Sequence, residues 1–348
     1  MKSRSRVIAV TLFGAMLLCA LPATSQTAQS QSSDWMVPRT VDGHPDLQGV
    51  WANNSATPLE RPEVLGDRAY LTDEEVATIQ ARAAELFNGE TDAAFGGAVF
   101  EAALEGVDDY QSGDGVTDDT PKGTGNYNQF WLVDRDFDNR TSLIIDPTSG
   151  RIPALTPDGE QRAAARRGQR RAADSYADRS NSDRCITYGV PRTSSGYNSY
   201  FQLFQTPTHV AILQEMIHEV RLIPLEGQPH TPEDVRQYNG DSRARWEGDS
   251  LVIETRNYSR KNGIRQATEH VTTTERFTRV GPDTLQWEVT YDDPNTWTQP
   301  WALMIPLSKT EDAIFEFACH EGNYAMEGIL AGQRALDRAG ASGETESR

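Results

Sequence analysis

The chain has 348 residues and a mass of 38.6 kDa, which suits one large domain or two small ones with a sizeable core. Hydrophobic residues make up 37% and charged residues 24%, so the composition is globular rather than disordered, collagen-like or that of a multi-span membrane protein. The formal net charge of −18 argues against DNA or RNA as a partner, because an acidic surface repels phosphate backbones.

The N-terminus has the three regions of a secretory signal peptide. Three basic residues precede the apolar run 7–21, and the small residue Ala23 follows it. The run is short for a bilayer span, so we expect cleavage before Gln26, although an uncleaved anchor stays open as an alternative. Removal of the signal peptide, residues 1–25, leaves a flexible tail over 26–45. The expected location is periplasmic or secreted, with no membrane span after cleavage.

Two cysteines remain in the mature chain, Cys185 and Cys319. An exported protein with two cysteines favours a single disulfide between them. Two buried free thiols are the alternative. A catalytic cysteine is disfavoured, because oxidising conditions consume exposed thiolates.

The N-terminal part of the mature chain reads as a strand, a helix and a loop. The first strand is predicted to end at a buried Trp51, and a helix follows at about 72–88, where a Thr and a Glu form a capping box. A Gly- and Asp-rich loop then covers 89–128, without the spacing of a calcium-binding loop. We group residues 46–127 as one segment.

The remainder is predicted to be a β-rich main domain over 128–337, followed by a disordered tail over 338–348. A helix at about 157–175 carries five arginines, which could attract an anion or could simply face solvent. Strands are expected at 129–137, 141–145, 200–205, 209–215, 218–224, 243–246, 250–256, 271–280, 284–291, 302–307 and 314–320.

Many strands of similar length, joined by short Gly, Pro and Asp turns, predict a mainly β fold. We expect an antiparallel meander that forms a lipocalin-like barrel or a sandwich, with the N-terminal and mid-chain helices packed on it. The sequence shows no propeller-type repeat and no alternation of strands and helices typical of a nucleotide-binding sheet.

Six short motifs together resemble those of one protein family: PDLQGVW at 45–51, QTP at 205–207, RLIPL at 221–225, GDSR at 240–243, RWEGD at 245–249 and NY at 257–258. On these motifs the chain resembles a large family of exported, mostly uncharacterised β-rich bacterial proteins, over nearly the whole mature chain. The resemblance implies an exported single-chain β-rich protein and implies no reaction. A looser resemblance to lipocalin-type barrels rests on Gly49-Val-Trp51 and the meander after it.

Standard catalytic signatures are absent from the sequence, including the nucleophile elbow, the HExxH zinc motif, the P-loop and the dinucleotide-binding glycines. Alternation along 209–223 places His218 in an otherwise apolar row, where a histidine suits a general acid or base. A hydrogen-bonded core histidine is the alternative. Arg221 is our candidate for holding an anion, although strict alternation puts it on the opposite face unless a bulge intervenes.

A second candidate pair follows Cys319 directly. We predict that His320 transfers a proton and that Glu321 orients a histidine, because a disulfide at the preceding residue would hold both rigidly. Zinc binding by His218, His230, His320 and Glu321 is the alternative, but no paired histidine spacing supports it. We therefore predict no metal and no other cofactor.

Two groups combine aromatic rings with amides, as the mouth of a barrel needs for a carbohydrate or aromatic ligand, although ordinary strand ends contain the same residue types. The predicted substrate-binding residues are Tyr127, Asn128, Gln129, Trp131, Tyr197 and Tyr200.

Three function classes stay open. The first is an exported enzyme that acts on a small organic molecule by lyase, isomerase or hydrolase chemistry without a cofactor. The second is a lipocalin-like carrier or sensor of small apolar metabolites, and the third is a surface protein whose ligand is another chain. Several titratable groups in one pocket would favour the enzyme, and a uniformly apolar cavity would favour the carrier. A homo-oligomer is compatible with all three.

Overall fold

Alternation between buried and more exposed side chains runs along most strands, as a sheet with one face on a core requires. The computed structural model describes residues 35–88, 94–106, 135–169, 173–225 and 227–346. Its strands are β1 (Gly49–Ala52), β2 (Ile144–Asp146), β3 (Tyr200–Gln205), β4 (His209–Gln214), β5 (Glu219–Pro224), β6 (Asp241–Glu247), β7 (Ser250–Arg256), β8 (Thr272–Arg279), β9 (Thr284–Asp292) and β10 (Trp301–Thr310).

These ten strands form one antiparallel sheet in the order β5-β4-β3-β1-β10-β9-β8-β7-β6, with β2 paired to β10 beside this path. The mainly β, antiparallel prediction is therefore confirmed. Between the two ends of the path, β5 and β6, backbone pairing in the described ranges is limited to an isolated parallel bridge between Leu225 and Ala244. The part of the sheet that the structure describes is thus not closed by a continuous ladder.

Short turns produce most of this meander. The turn between β6 and β7 places Gly248 at a φ of 61°, which glycine adopts at no steric cost. Residues 206–208 join β3 to β4, and residues 280–283 join β8 to β9. The hairpins predicted at these three places are confirmed.

Four helices accompany the sheet: α1 (Asp73–Leu86), α2 (Gly97–Glu105), α3 (Pro157–Gln169) and α4 (Tyr324–Glu346). The predicted capping box of α1 is confirmed, since Thr72 and Glu75 each accept a hydrogen bond from the other's backbone N–H. α4 extends into the segment 338–348, where the sequence predicts a tail. Within the described ranges, no helix is both long enough and apolar enough to cross a membrane.

Two apolar clusters form the core. The larger lies inside the sheet and includes Trp51, which is fully buried as predicted and donates its indole N–H to the Leu47 carbonyl. The smaller forms around α1 and α2, where Ile79 and Phe100 are among the buried residues. Every element named above belongs to one unit, Met36–Arg348.

Three predictions from the sequence are wrong. The loop predicted over 89–128 contains the helix α2, whose apolar side chains pack in the smaller core cluster. The second helix ends before 173–175, which the structure places in irregular backbone. The last predicted strand, 314–320, is absent, because residues 311–323 have no ladder partner and β10 ends at Thr310. The signal peptide predicted at 1–25 lies outside the described residues.

The predicted disulfide is confirmed. Cys185 and Cys319 are bonded, with their Cα atoms 5.7 Å apart and a sequence separation of 134. The bond ties the irregular segment 311–323 to the loop that precedes β3. The side chain of Asn323 adds a hydrogen bond from its amide to the Asp183 carbonyl, 2.9 Å away.

Removal of this disulfide is expected to destabilise the protein substantially. The double variant Cys185→Ser/Cys319→Ser should lose about 4–5 kcal/mol of unfolding free energy, because the bond closes a loop of more than a hundred residues in the unfolded chain. Urea unfolding of both proteins measures this difference, and intact mass with and without reductant should differ by two hydrogens in the wild type. Two free thiols in protein purified without reductant would contradict the assignment.

Candidate functional site

A sharp turn between β4 and β5 decides which side chains enter the interior of the sheet. Ile217 and His218 have φ angles of 60° and 43°, so the pleat of β4 does not continue into β5. Ile212 pairs directly with Arg221, and both face one interior cavity. Val220, by contrast, is 60% exposed. The prediction that one strand face continues through His218 is therefore wrong. The turn provides the interruption of the strand that allows Arg221 to face the cavity.

The interior contains a buried ion pair that crosses the sheet from β5 to β8. Arg221 donates from both terminal nitrogens to the Glu275 carboxylate, at 2.7 and 3.2 Å, and the indole N–H of Trp287 donates to the same carboxylate at 3.2 Å. Glu275 is fully buried. Burial disfavours the charged guanidinium, but Glu275 outweighs that cost and raises the pKa of Arg221. The pair is thus a fixed, neutralised part of the wall.

This interior cavity has an apolar wall and a polar wall. Its volume of about 10 Å³ is enough for about one water molecule. The apolar lining residues are Val190, Phe201, Leu203, Ile212, Phe277 and Trp287. The polar lining residues are Arg192, Gln214, Glu219, Arg221 and Glu275.

Glu219 is the carboxyl group of this cavity that has no cationic partner within 4 Å among the described residues. The Thr187 hydroxyl donates to it at 2.7 Å, and the Asn239 amide donates to its other oxygen. Burial nevertheless raises the pKa of Glu219, because desolvation outweighs these bonds. A carboxyl group that holds its proton more tightly than usual is suited to proton transfer.

Arg192 is a buried cation on the same wall. It is 7% exposed, and its terminal nitrogens donate to the carbonyls of Tyr197 and Asn198 at 2.8 and 2.9 Å. Burial lowers the pKa of Arg192 to about 10, which still leaves it charged at neutral pH. Glu215 acts on it from beyond 4 Å, and burial raises the pKa of Glu215 as well.

Aromatic rings lie beside Arg192 at this end of the sheet. Phe317, on the irregular segment 311–323, packs edge-on against Tyr188 and Tyr197, with ring centroids 6.4 and 6.3 Å apart. Both tyrosines lie close enough to Arg192 to influence its pKa. Of the predicted substrate-binding residues, Tyr197 therefore adjoins the cavity wall. Tyr200 lies on β3 and donates its hydroxyl to Asp312 at 3.2 Å.

The predicted proton-transfer residues lie outside the cavity lining. His218 is exposed, and its Nδ1 lies 3.2 Å from the Phe317 carbonyl. His320 and Glu321 are exposed on the segment that follows the disulfide. Arg221 alone among the four predicted catalytic residues lines the cavity. The catalytic roles of the other three remain predictions.

The remaining predicted residues do not gather around this cavity in the described part of the chain. His230 lies between two carboxylates instead, with Nδ1 2.9 Å from Asp241 and Nε2 3.2 Å from Glu254. Across the described ranges, no group of three or more His, Cys, Asp or Glu side chains is arranged to hold a metal ion. The residues outside the described ranges are Tyr127, Asn128, Gln129 and Trp131.

Sequence reasoning missed four polar residues of the cavity: Arg192, Gln214, Glu219 and Glu275. A signal existed for Glu275, because strand alternation places it inward between Thr273 and Phe277, where an unpaired carboxylate is too costly. An inward carboxylate on one strand requires an inward cation on another.

Removing the negative charge of the buried pair is expected to cost more stability than removing a surface charge. Glu275→Gln leaves Arg221 charged and buried, which should lower the unfolding free energy by about 3–5 kcal/mol. Glu247→Gln is the matched control, since this exposed carboxylate pairs with Arg245 and Arg276 and should cost less than about 1 kcal/mol. Urea unfolding measures both, and equal effects would show that the interior pair is not desolvated.

Comparison with known proteins adds no family to these observations. No protein-family model matches the chain, and no curated protein or solved structure is significantly similar to it. The resemblance seen in the motifs therefore stays an expectation. Function has to be inferred from the geometry of this chain's own residues.

Proposed function

We propose that the protein is an exported enzyme that acts on a small organic molecule by acid–base chemistry without a cofactor, at the interior cavity. The observation that supports it is the clustering of four ionisable side chains on the lining of one cavity, Arg192, Glu219, Arg221 and Glu275. Charged groups are rarely buried unless they have a structural or chemical use. Arg221 and Glu275 neutralise each other, so Arg192 and Glu219 are the two charged residues proposed to act on the substrate.

Glu219 is the proposed proton-transfer residue. Its two oxygens are held by Thr187 and Asn239, so the carboxyl group is fixed in position, and burial raises its pKa above the usual range for a glutamate. A base of raised pKa removes a proton more readily and can return it to another atom of the substrate. Such a proton shift needs no oxidant and no second substrate.

The size of the cavity limits what enters it. Space for about one water accommodates only a terminal group of a substrate. The body of the molecule would then lie towards the rings of Tyr188, Tyr197 and Phe317. A lipocalin-like carrier needs an apolar chamber that encloses its whole ligand, so these dimensions and the charged wall favour the enzyme over the carrier.

The wider assignment to an exported, barrel-like protein is also part of this proposal. Curvature is required for Arg221 on β5 to reach Glu275 on β8, and it supports a lipocalin-like barrel whose seam lies between β5 and β6. The Cys185–Cys319 disulfide supports an oxidising compartment, which fits the predicted signal peptide and the resemblance to exported bacterial proteins.

Glu219→Gln is expected to remove catalysis without unfolding the protein. The glutamine side chain can make both hydrogen bonds. Its oxygen accepts from the Asn239 amide, and its nitrogen donates to the Thr187 hydroxyl, which can itself donate to the Asn239 oxygen. Wild type and variant would be incubated with a small-molecule extract, and mass spectrometry would identify the compounds that are consumed. Turnover of any such compound should fall about a hundredfold or more in the variant.

Glu233→Gln, on an exposed loop, is the matched control and should behave as wild type. The activity should also rise with pH through the raised pKa of Glu219, because the base must be ionised to accept a proton. Equal consumption by wild type and Glu219→Gln would remove this residue from the mechanism. A compound that raises the melting temperature of both proteins without being converted would indicate the carrier instead.

A further inference from the structure

Three buried hydrogen-bond donors on the wall of the interior cavity have no acceptor among the described residues. They are the Nε atoms of Arg192 and Arg221 and the amide nitrogen of Gln214. Arg192 is 7% exposed and Gln214 is 4% exposed, so bulk solvent does not satisfy them. Buried donors are normally paired, so three unpaired donors on residues that line one space favour an acceptor there, either a water or an oxygen atom of a ligand.

The charge of this wall indicates what kind of acceptor it is. Arg221 is neutralised by two hydrogen bonds to Glu275. Arg192 donates only to backbone carbonyls in the described structure, and no carboxylate lies within 4 Å of it there. A buried guanidinium favours an anionic partner over a neutral one, and its planar edge matches a carboxylate group.

We propose that Arg192 and Gln214 form the recognition site for the carboxylate group of an organic anion. This inference rests on the proposed function and names its substrate class. The cavity admits a terminal group of carboxylate size at most. Outside its lining, the rings of Tyr188 and Tyr197 lie close to Arg192, and Phe317 packs against both. The substrate class is therefore a monocarboxylate with a flat, apolar body.

Glu219 gives this site a second measurable property. A carboxylate bound beside Glu219 brings two acidic groups together, which favours the protonated form of Glu219. The other charged groups around the cavity are Arg192, Arg221 and Glu275, with Glu215 acting on Arg192 from outside it. Binding should thus take up a proton, and affinity should fall as pH rises. Conversion still requires the fraction of the complex in which Glu219 is ionised, so turnover of the bound substrate should rise over the same pH range.

Benzoate is the probe, because it combines a carboxylate with a flat apolar body, and benzamide is its uncharged counterpart. Isothermal titration in buffers of different ionisation enthalpy reports both affinity and proton uptake. Benzoate should bind the wild type at least about tenfold more tightly than benzamide does. Arg192→Gln should weaken benzoate binding about tenfold or more, since it removes the charge.

Two further variants separate recognition from folding. Arg192 also holds the carbonyls of Tyr197 and Asn198, so its replacement affects structure as well. Gln214→Met keeps those bonds and the side-chain volume, and it should weaken benzoate binding about threefold to tenfold through loss of one donor. Arg245→Gln, on the exposed face of β6, should leave binding unchanged.

The inference is overturned if benzoate binds no better than benzamide, if Gln214→Met and Arg192→Gln both bind as the wild type does, or if nothing binds at about 10 mM. Failure of the proposed function looks different. Benzoate binding with full turnover in Glu219→Gln would retain the anion site and remove the mechanism. Conversion of uncharged compounds, lost in Glu219→Gln, without benzoate binding would retain the mechanism and remove the anion site.

Discussion

The ion pair between Arg221 and Glu275 is the interaction on which the interior of this sheet depends. It joins β5, one end of the sheet path, to β8, the third strand from the other end, across a cavity with space for about one water molecule. Desolvating two charges costs several kcal/mol for each ion, and hydrogen bonds from both ions to neighbouring side chains offset part of this cost. The hydroxyl oxygens of Ser242 and Thr255 accept hydrogen bonds from Arg221, and the indole N–H of Trp287 donates to the Glu275 carboxylate.

This pair also compensates for the weak seam of the sheet. Between β5 and β6 the ladder is reduced to one bridge, so backbone hydrogen bonds do little to hold the two ends of the path together. The guanidinium of Arg221 reaches Ser242 on β6 and Thr255 on β7, which links both ends through side chains instead. The curvature of the sheet, the weak pairing between β5 and β6 and the polar cavity consequently depend on one another. A purely apolar interior would leave β5 and β6 without this side-chain link.

Much of the sheet could be predicted because its signals are local. Turns rich in Gly, Pro and Asp mark the hairpins, and alternation marks strands such as β8 and β9. The turn at Met216–His218 could not be predicted, since a β-branched residue such as Ile217 at a φ of 60° contradicts its own backbone preference. That single turn reverses the facing of β5, which moves His218 out and Arg221 in. Tertiary packing overrides local preference there, and the predicted facing of His218 and Arg221 is wrong for that reason.

The disulfide supplies a constraint that packing does not provide in the segment after β10. Residues 311–323 have no ladder partner, and most of their side chains are exposed, so burial alone gives them little stabilisation. The Cys185–Cys319 bond fixes this segment in place, and Phe317 is thereby held against Tyr188 and Tyr197 beside Arg192. The oxidised state of the two cysteines is then a condition for the shape of the site as well as for overall stability. The disulfide and the cavity wall are linked in this way, because the bond that holds Phe317 also supports the two tyrosine rings that lie close to the buried cation.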